Sequence, residues 1–250
     1  MGGFVVSENK SAVLRGLTFA LRVFLVCLAM AASALILYAI FRSFYEQSDS
    51  LSANSEESVI RTCIIDAGHG GMDGGAVSVT GSLEKDLNLD VAESLKCMME
   101  AAGYNVIMTR SDDTMLNSDG TYPKSRKMRD MLGRLDIIKS HPEAIFVSIH
   151  MNKFPEEKYS GLQVYYSDND PKSKEIAQSV QNMAKLTLQP ENNREIKSAG
   201  DGIFILKNAE IPAILVECGF LSNHNEAALL DTDIYRKNIA CLIFSALQPF

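Results

Sequence analysis

Between Val23 and Phe41, nineteen consecutive residues carry no charge, and no other feature limits the folding of this chain as strongly. A run of that length matches the roughly 17–25 apolar residues of a membrane-crossing helix. Lys10, Arg15 and Arg22 precede it, and Arg42 follows, soon joined by Glu46 and Asp49. By the positive-inside rule, residues 1–22 stay in the cytoplasm and everything after residue 42 is exported. A cleaved signal peptide is the competing expectation, because Ala32, Ser33 and Ala34 form a small-x-small pattern. The apolar run continues to Phe41, however, so cleavage there would leave a sticky N-terminus, and an uncleaved anchor over residues 23–41 is expected. Cys27 follows Leu25 and Val26 in a poor lipobox, which argues against lipid attachment.

The mean hydropathy of zero therefore averages two unlike pieces. Residues 1–42 hold four basic side chains and one acidic one, so of the net charge of −7 the remainder carries −10. An acidic exported piece excludes a nucleic-acid partner of the usual basic kind. Residues 42–60 are rich in Ser, Glu and Asn and form a linker. Residues 61–250 are long enough for one domain with a substantial core. Export permits disulfides, but no CxxC pair occurs, and Cys63, Cys97, Cys218 and Cys241 are expected to be buried small hydrophobes.

Within 61–250, short apolar runs alternate with segments of helical period. Strands are predicted at Thr62–Asp66, Tyr104–Thr109, Ala144–His150, Leu162–Tyr166, Ile203–Lys207 and Ala213–Glu217. Leu87, Val91, Leu95, Met98 and Ala102 recur at three- and four-residue steps, marking a helix from about Asp86 that Gly103 ends. Further helices are predicted around Met128–Ile138, from about Lys172 to Leu188, and from about Asp233 onward. The alternation predicts an α/β fold: a roughly six-stranded, mostly parallel sheet with helices on both faces, preceded by one N-terminal transmembrane helix. Strand order, and whether an edge strand is antiparallel, stay open.

Function gathers at the carboxyl ends of strands in such sheets. Two of the four histidines fall there: His69, just past the first strand, and His150, at the end of Ile145–Ile149. Glu217 closes the apolar run Ala213–Val216, and a carboxylate in that position needs a partner or a task. Two imidazoles and a carboxylate suit Zn²⁺, whose catalytic sites keep three protein ligands and one open position. Glu84 is the candidate third ligand, with Asp66 and Asp73 as rivals that spacing does not separate. The loop containing Gly68, Gly70, Gly71, Gly74 and Gly75 lacks the endings of a P-loop and of a dinucleotide site. It is better suited to bringing backbone close to a metal and substrate. His141 and His224 are expected in solvent. Arg126, Lys127, Arg129 and Arg134 are expected to form a solvated helix face, with a role in holding an anionic substrate as the alternative.

Four segments now carry a resemblance: Ile65-Asp66-Ala67-Gly68-His69-Gly70-Gly71, Glu84-Lys85-Asp86-Leu87-Asn88, Val147-Ser148-Ile149-His150-Met151-Asn152, and Val216-Glu217-Cys218-Gly219-Phe220-Leu221-Ser222-Asn223. In this order they resemble the signature segments of zinc-dependent N-acetylmuramoyl-L-alanine amidases of the type 3 family. The resemblance implies that His69, Glu84 and His150 bind zinc and that Glu217 is catalytic, which would decide the third ligand. Met151 stands where the family commonly has Ala, and the start of the strand at Gly161 and Leu162 also departs; neither position is a ligand. The anchored architecture and the segment from Met151 to Tyr166 look most like the germination-specific amidases of spore-forming bacteria, which contribute to muramic δ-lactam in the spore cortex.

The resemblance implies a peptidoglycan substrate, cleaved between the lactyl group of N-acetylmuramic acid and L-alanine. It leaves open whether an accessory protein takes part. The other readings are an anchored, non-catalytic wall-binding or activator module, and a zinc peptidase acting on another stem-peptide bond. A silent module would be expected to have lost a ligand or the catalytic carboxylate, and all four positions are filled.

Overall fold

The computed structural model describes residues 61–116 and 125–250, together with Leu35, Tyr38, Ala39 and Arg42. The expected anchor at 23–41 and the linker at 42–60 therefore lie almost wholly outside the described residues. Among the described residues, no helix is long and apolar enough to cross a membrane.

Ile60–Phe250 forms a compact unit built on six strands: β1 (Thr62–Ala67), β2 (Asn105–Met108), β3 (Ile145–Asn152), β4 (Gln163–Tyr166), β5 (Lys197–Ser198) and β6 (Ala213–Phe220). The sheet order is β2-β1-β3-β6-β4-β5. β2, β1, β3 and β6 run parallel; β4 is antiparallel to β6, and β5 is parallel to β4. The sheet is thus mostly parallel, as predicted, and mixed through one reversal between β6 and β4, which lies inside the sheet rather than at an edge.

Six helices accompany the strands among the described residues: α1 (Glu84–Ala101), α2 (Arg126–Lys139), α3 (Pro171–Thr187), α4 (Phe204–Asn208), α5 (His224–Leu230) and α6 (Asp233–Leu247). Their ends follow local chemistry. Ser125 Oγ accepts from Met128 N at the start of α2, Asp170 accepts from Lys172 N ahead of Pro171 in α3, and Asn223 accepts from two amides of α5. Gly103, at φ +87, follows the end of α1 and donates to the Glu100 carbonyl.

Strand alternation divides the core between two faces. Ile65, Val147, Ile149, Val216 and Cys218 pack with Val91 and Leu95 of α1, Ile176 and Val180 of α3, and Ile239 and Ile243 of α6. Ile64, Phe146, Ala213 and Leu215 pack on the other face with Leu135 and Ile138 of α2 and Ile205 and Leu206 of α4.

Two expectations need correction. Ile203–Lys207 is not a strand: α4 occupies Phe204–Asn208, and Lys197–Ser198 is the sixth strand. A five-residue apolar run does not distinguish a buried strand from a buried helical turn, and here it caps the sheet face above Leu215. Cys63 and Cys218 are buried, but Cys97 and Cys241 are exposed because they fall on the outer faces of α1 and α6.

Candidate metal centre and active site

β1 delivers Asp66 and Ala67 to the carboxyl edge of the sheet, and the chain then turns sharply at Gly68 and His69. His69 has φ +62, rare for a residue with a side chain. Two arginines hold this turn. Arg134 donates to the carbonyls of Ala67 (2.9 Å) and His69 (2.7 Å). Arg110 donates to those of Ala67 (2.9 Å), Gly68 (3.0 Å) and Lys85 (2.7 Å), tying the turn to the first residues of α1. A Cβ on Gly68 would lie 2.3 Å from the His150 ring, and one on Gly75 would lie 2.6 Å from Glu84 Oε2. The glycines are what let backbone and site side chains come this close.

Glu84 opens α1, where the helix dipole favours a carboxylate. Its Oε2 accepts from Ala76 N (2.8 Å) and its Oε1 from Met151 N (3.1 Å). Oε1 also lies 3.1 Å from His69 Nε2 and 3.0 Å from His150 Nδ1. The ligand atoms of His69, Glu84 and His150 all fall within 4.8 Å of one another. Two imidazole nitrogens converging on one carboxylate oxygen form a donor set that fits zinc, with a side left for water or substrate. Burial pushes the Glu84 carboxyl up, but hydrogen bonds from His150 and His69 and their charges outweigh it and hold its pKa well below the usual carboxylate range.

Of the two rivals, Asp66 is buried and committed elsewhere. It accepts from Ser148 Oγ (2.6 Å) and Thr109 Oγ1 (2.8 Å) and pairs with Arg134. Asp73 Oδ2 lies 3.1 Å from Nδ1 of His69, the nitrogen turned away from Glu84. A carboxylate behind a ligating histidine fixes the ring's orientation and raises its basicity.

Glu217 enters from β6, where it is the register partner of His150 on β3, so the two side chains leave the same face of neighbouring strands. Its Oε2 is buried with no hydrogen-bond partner among the described residues. Burial pushes its pKa up to about 7; the Glu84 charge adds to this and the nearby His150 partly opposes it. A carboxyl in that range can both accept and return a proton near neutral pH.

The basic cluster does not behave as one solvated face. Lys127 is 65% exposed, but Arg134 is buried between Asp66 and Asp130, with Nε 2.9 Å from Asp130 Oδ2. Helical spacing contained the signal: Arg134 stands three residues after Met131 and four before Ile138, on the inward stripe of α2. The roles of Arg110 and Asp73 left no comparable trace in the sequence. His141 is half-buried, with Nδ1 2.9 Å from the Ile137 carbonyl, whereas His224 is exposed at the start of α5.

Residues 63–249 match the family profile described as N-acetylmuramoyl-L-alanine amidase. The chain belongs to this family. The germination-specific N-acetylmuramoyl-L-alanine amidase of Bacillus subtilis is 34% identical over 217 residues, covering 86% of this chain and 90% of that protein. Among solved structures, the CwlD amidase from Clostridioides difficile, in complex with the GerS lipoprotein, superposes with a TM-score of 0.71 at 38% identity, covering 76% of this chain and 97% of that one. The amidase AmiC2 of Nostoc punctiforme gives a TM-score of 0.65 at 27% identity, covering 77% and 97% respectively. The amidase family thus accounts for the four signature segments and for nearly the whole described domain.

Proposed function

We propose that this chain is a zinc-dependent peptidoglycan amidase that cleaves the amide between the lactyl group of N-acetylmuramic acid and the L-alanine of the stem peptide. His69, Glu84 and His150 would hold the metal, and Glu217 would serve as the catalytic acid and base. The observation that carries this reading is the pairing of Glu217 with His150 across β6 and β3, beside a carboxylate and two imidazoles gathered at one point.

Bound zinc would supply Lewis acidity to the attacking water and to the amide carbonyl. Glu217 takes the proton that the water loses as its oxygen joins the lactyl carbonyl carbon, and returns it to the departing nitrogen as the C–N bond breaks. Asp73 orients the His69 ring from behind, and Arg134 and Arg110 keep the His69 turn fixed. The products are a lactyl carboxylate on the glycan and a stem peptide with a free amino terminus.

In this reading, supported by the likeness to a germination-specific relative, the substrate is spore-cortex peptidoglycan, where the freed lactyl carboxylate would be the starting point for muramic δ-lactam. The uncharged run at 23–41 would hold the domain on the outer side of a membrane, with an accessory lipoprotein of the kind bound to the Clostridioides difficile amidase as a partner class. The test is direct: zinc-loaded protein incubated with cortex and with vegetative peptidoglycan should release stem peptides with L-alanine at the new amino terminus, read by mass spectrometry. Cleavage at another stem-peptide bond would overturn the substrate assignment.

A further inference from the structure

One buried polar side chain beside the metal centre is neither a ligand nor a proton carrier. Asn88 lies one turn after Glu84 on the inward face of α1 and is fully buried. Its Nδ2 donates to the Gly68 carbonyl at 3.1 Å and makes a longer contact, 3.4 Å, with Glu84 Oε1. Its Oδ1 is buried with no hydrogen-bond partner among the described residues. Turning the amide over would set that oxygen against two other oxygens, so the acceptors fix its orientation.

Stability does not explain an asparagine here. An unpaired buried carbonyl oxygen is a cost to the fold, and neither acceptor depends on Asn88 for a donor. The Gly68 carbonyl also accepts from Arg110 Nη2 at 3.0 Å, and Glu84 Oε1 also accepts from Met151 N at 3.1 Å. A leucine, of similar size, would remove the unpaired oxygen and leave both acceptors served.

What the amide does is join two parts of the site. Gly68 immediately precedes His69 and lies against the His150 ring, where an added Cβ would fall 2.3 Å from ring atoms. Arg110 also links this turn to α1, but through the Lys85 carbonyl, whereas Asn88 reaches the Glu84 carboxylate itself. We infer that Asn88 is a positioning residue for the metal centre: its amide sets Glu84 Oε1 relative to the turn that carries His69, and it serves metal binding at a cost in stability. The inference rests on the zinc reading above.

Two variants of the full chain separate positioning from packing, because they move stability in opposite directions. Asn88→Leu removes the unpaired oxygen and keeps the volume, so the metal-free protein should unfold at the wild-type Tm or above it. Asn88→Ala opens a cavity and should lower Tm. Zinc affinity, measured by chelator competition, should nevertheless fall about tenfold in both, the low end for loss of an outer partner. The visible absorption spectrum of the cobalt-loaded protein should also change in both. Affinity that follows Tm, kept in Asn88→Leu and lost in Asn88→Ala, would make Asn88 a packing residue and overturn the inference. So would wild-type affinity or an unchanged cobalt spectrum in both variants, or a lowered Tm or failure to fold in Asn88→Leu. Each of these outcomes leaves the zinc reading intact. If the wild type itself binds no stoichiometric zinc, that reading falls and the inference with it.

Discussion

Asp73 Oδ2 stands 3.1 Å from Nδ1 of His69, at the ring nitrogen opposite the one that faces Glu84. The histidine thereby has a carboxylate oxygen 3.1 Å from each of its ring nitrogens. Losing an outer partner of this kind typically weakens metal binding about 10–100-fold. Asp73→Asn should therefore lower zinc affinity by about that factor in a chelator competition while the folded domain persists. Unchanged affinity would show that the contact does not orient His69.

Gly68 leaves no room for a side chain beside His150. A methyl group there would sit 2.3 Å from ring atoms of His150, well inside contact distance, while the Gly68 amide would keep its 3.0 Å bond to the Ile149 carbonyl. Gly68→Ala should displace the His150 ring and abolish stoichiometric zinc binding, with far-UV circular dichroism unchanged. One equivalent of zinc retained in that variant would contradict the placement of His150.

Glu217→Gln separates catalysis from metal binding. Removing the acid–base group should lower kcat by at least roughly 100-fold with one zinc still bound, and normal turnover would remove Glu217 from the mechanism. The same variant tests its burial in metal-free protein. The folded pKa of about 7 lies above the ordinary value for an unfolded glutamate. Stability from the neutral form is thus fully present below the unfolded pKa and is lost as pH rises through 7. Glu217→Gln, neutral throughout, should gain Tm relative to the wild type between pH 5 and pH 8; a pH-independent gap would refute the raised pKa.

Arg134 is 4% exposed between Asp66 and Asp130, themselves 2% and 5% exposed. Arg134→Met leaves two buried carboxylates without their cation and should destabilise the domain by about 3–5 kcal/mol, measured by urea unfolding at pH 7. Burial raises the pKa of Asp66, but Arg134, Ser148, His150 and Thr109 outweigh it and hold it below the ordinary range. That contribution is present above the unfolded pKa and is lost as pH falls through the lower folded one. The difference between wild type and Arg134→Met should accordingly shrink at pH 3, and a difference equal at both pH values would mean that Asp66 is not charged in the fold.

The helix at Glu84–Ala101 was legible because Leu87, Val91 and Leu95 recur at the helical period and Gly103 stops it. That signal needs several turns to accumulate. The five residues from Ile203 to Lys207 contain too few, and in the fold they pack with Leu215 as a short helix over Phe204–Asn208. His69 and His150 were legible as a pair because both follow apolar strands, and strand ends in a parallel sheet share one edge. Spacing left Glu84, Asp66 and Asp73 equivalent; the signature segments distinguished them, and the structure separates their partners.

By itself the sequence determined the α/β class, most elements, the two histidines at one sheet edge and the family, because these follow from local periodicity and from motifs read in order. Only the tertiary structure decided that Asp66 faces Arg134, that Asp73 stands behind His69 and that Glu217 lies alongside His150. The reason is physical. Each of the Asp66 and Glu217 pairings joins residues more than 60 positions apart, and which buried charge finds which partner depends on strand order and helix placement, neither of which local periodicity encodes.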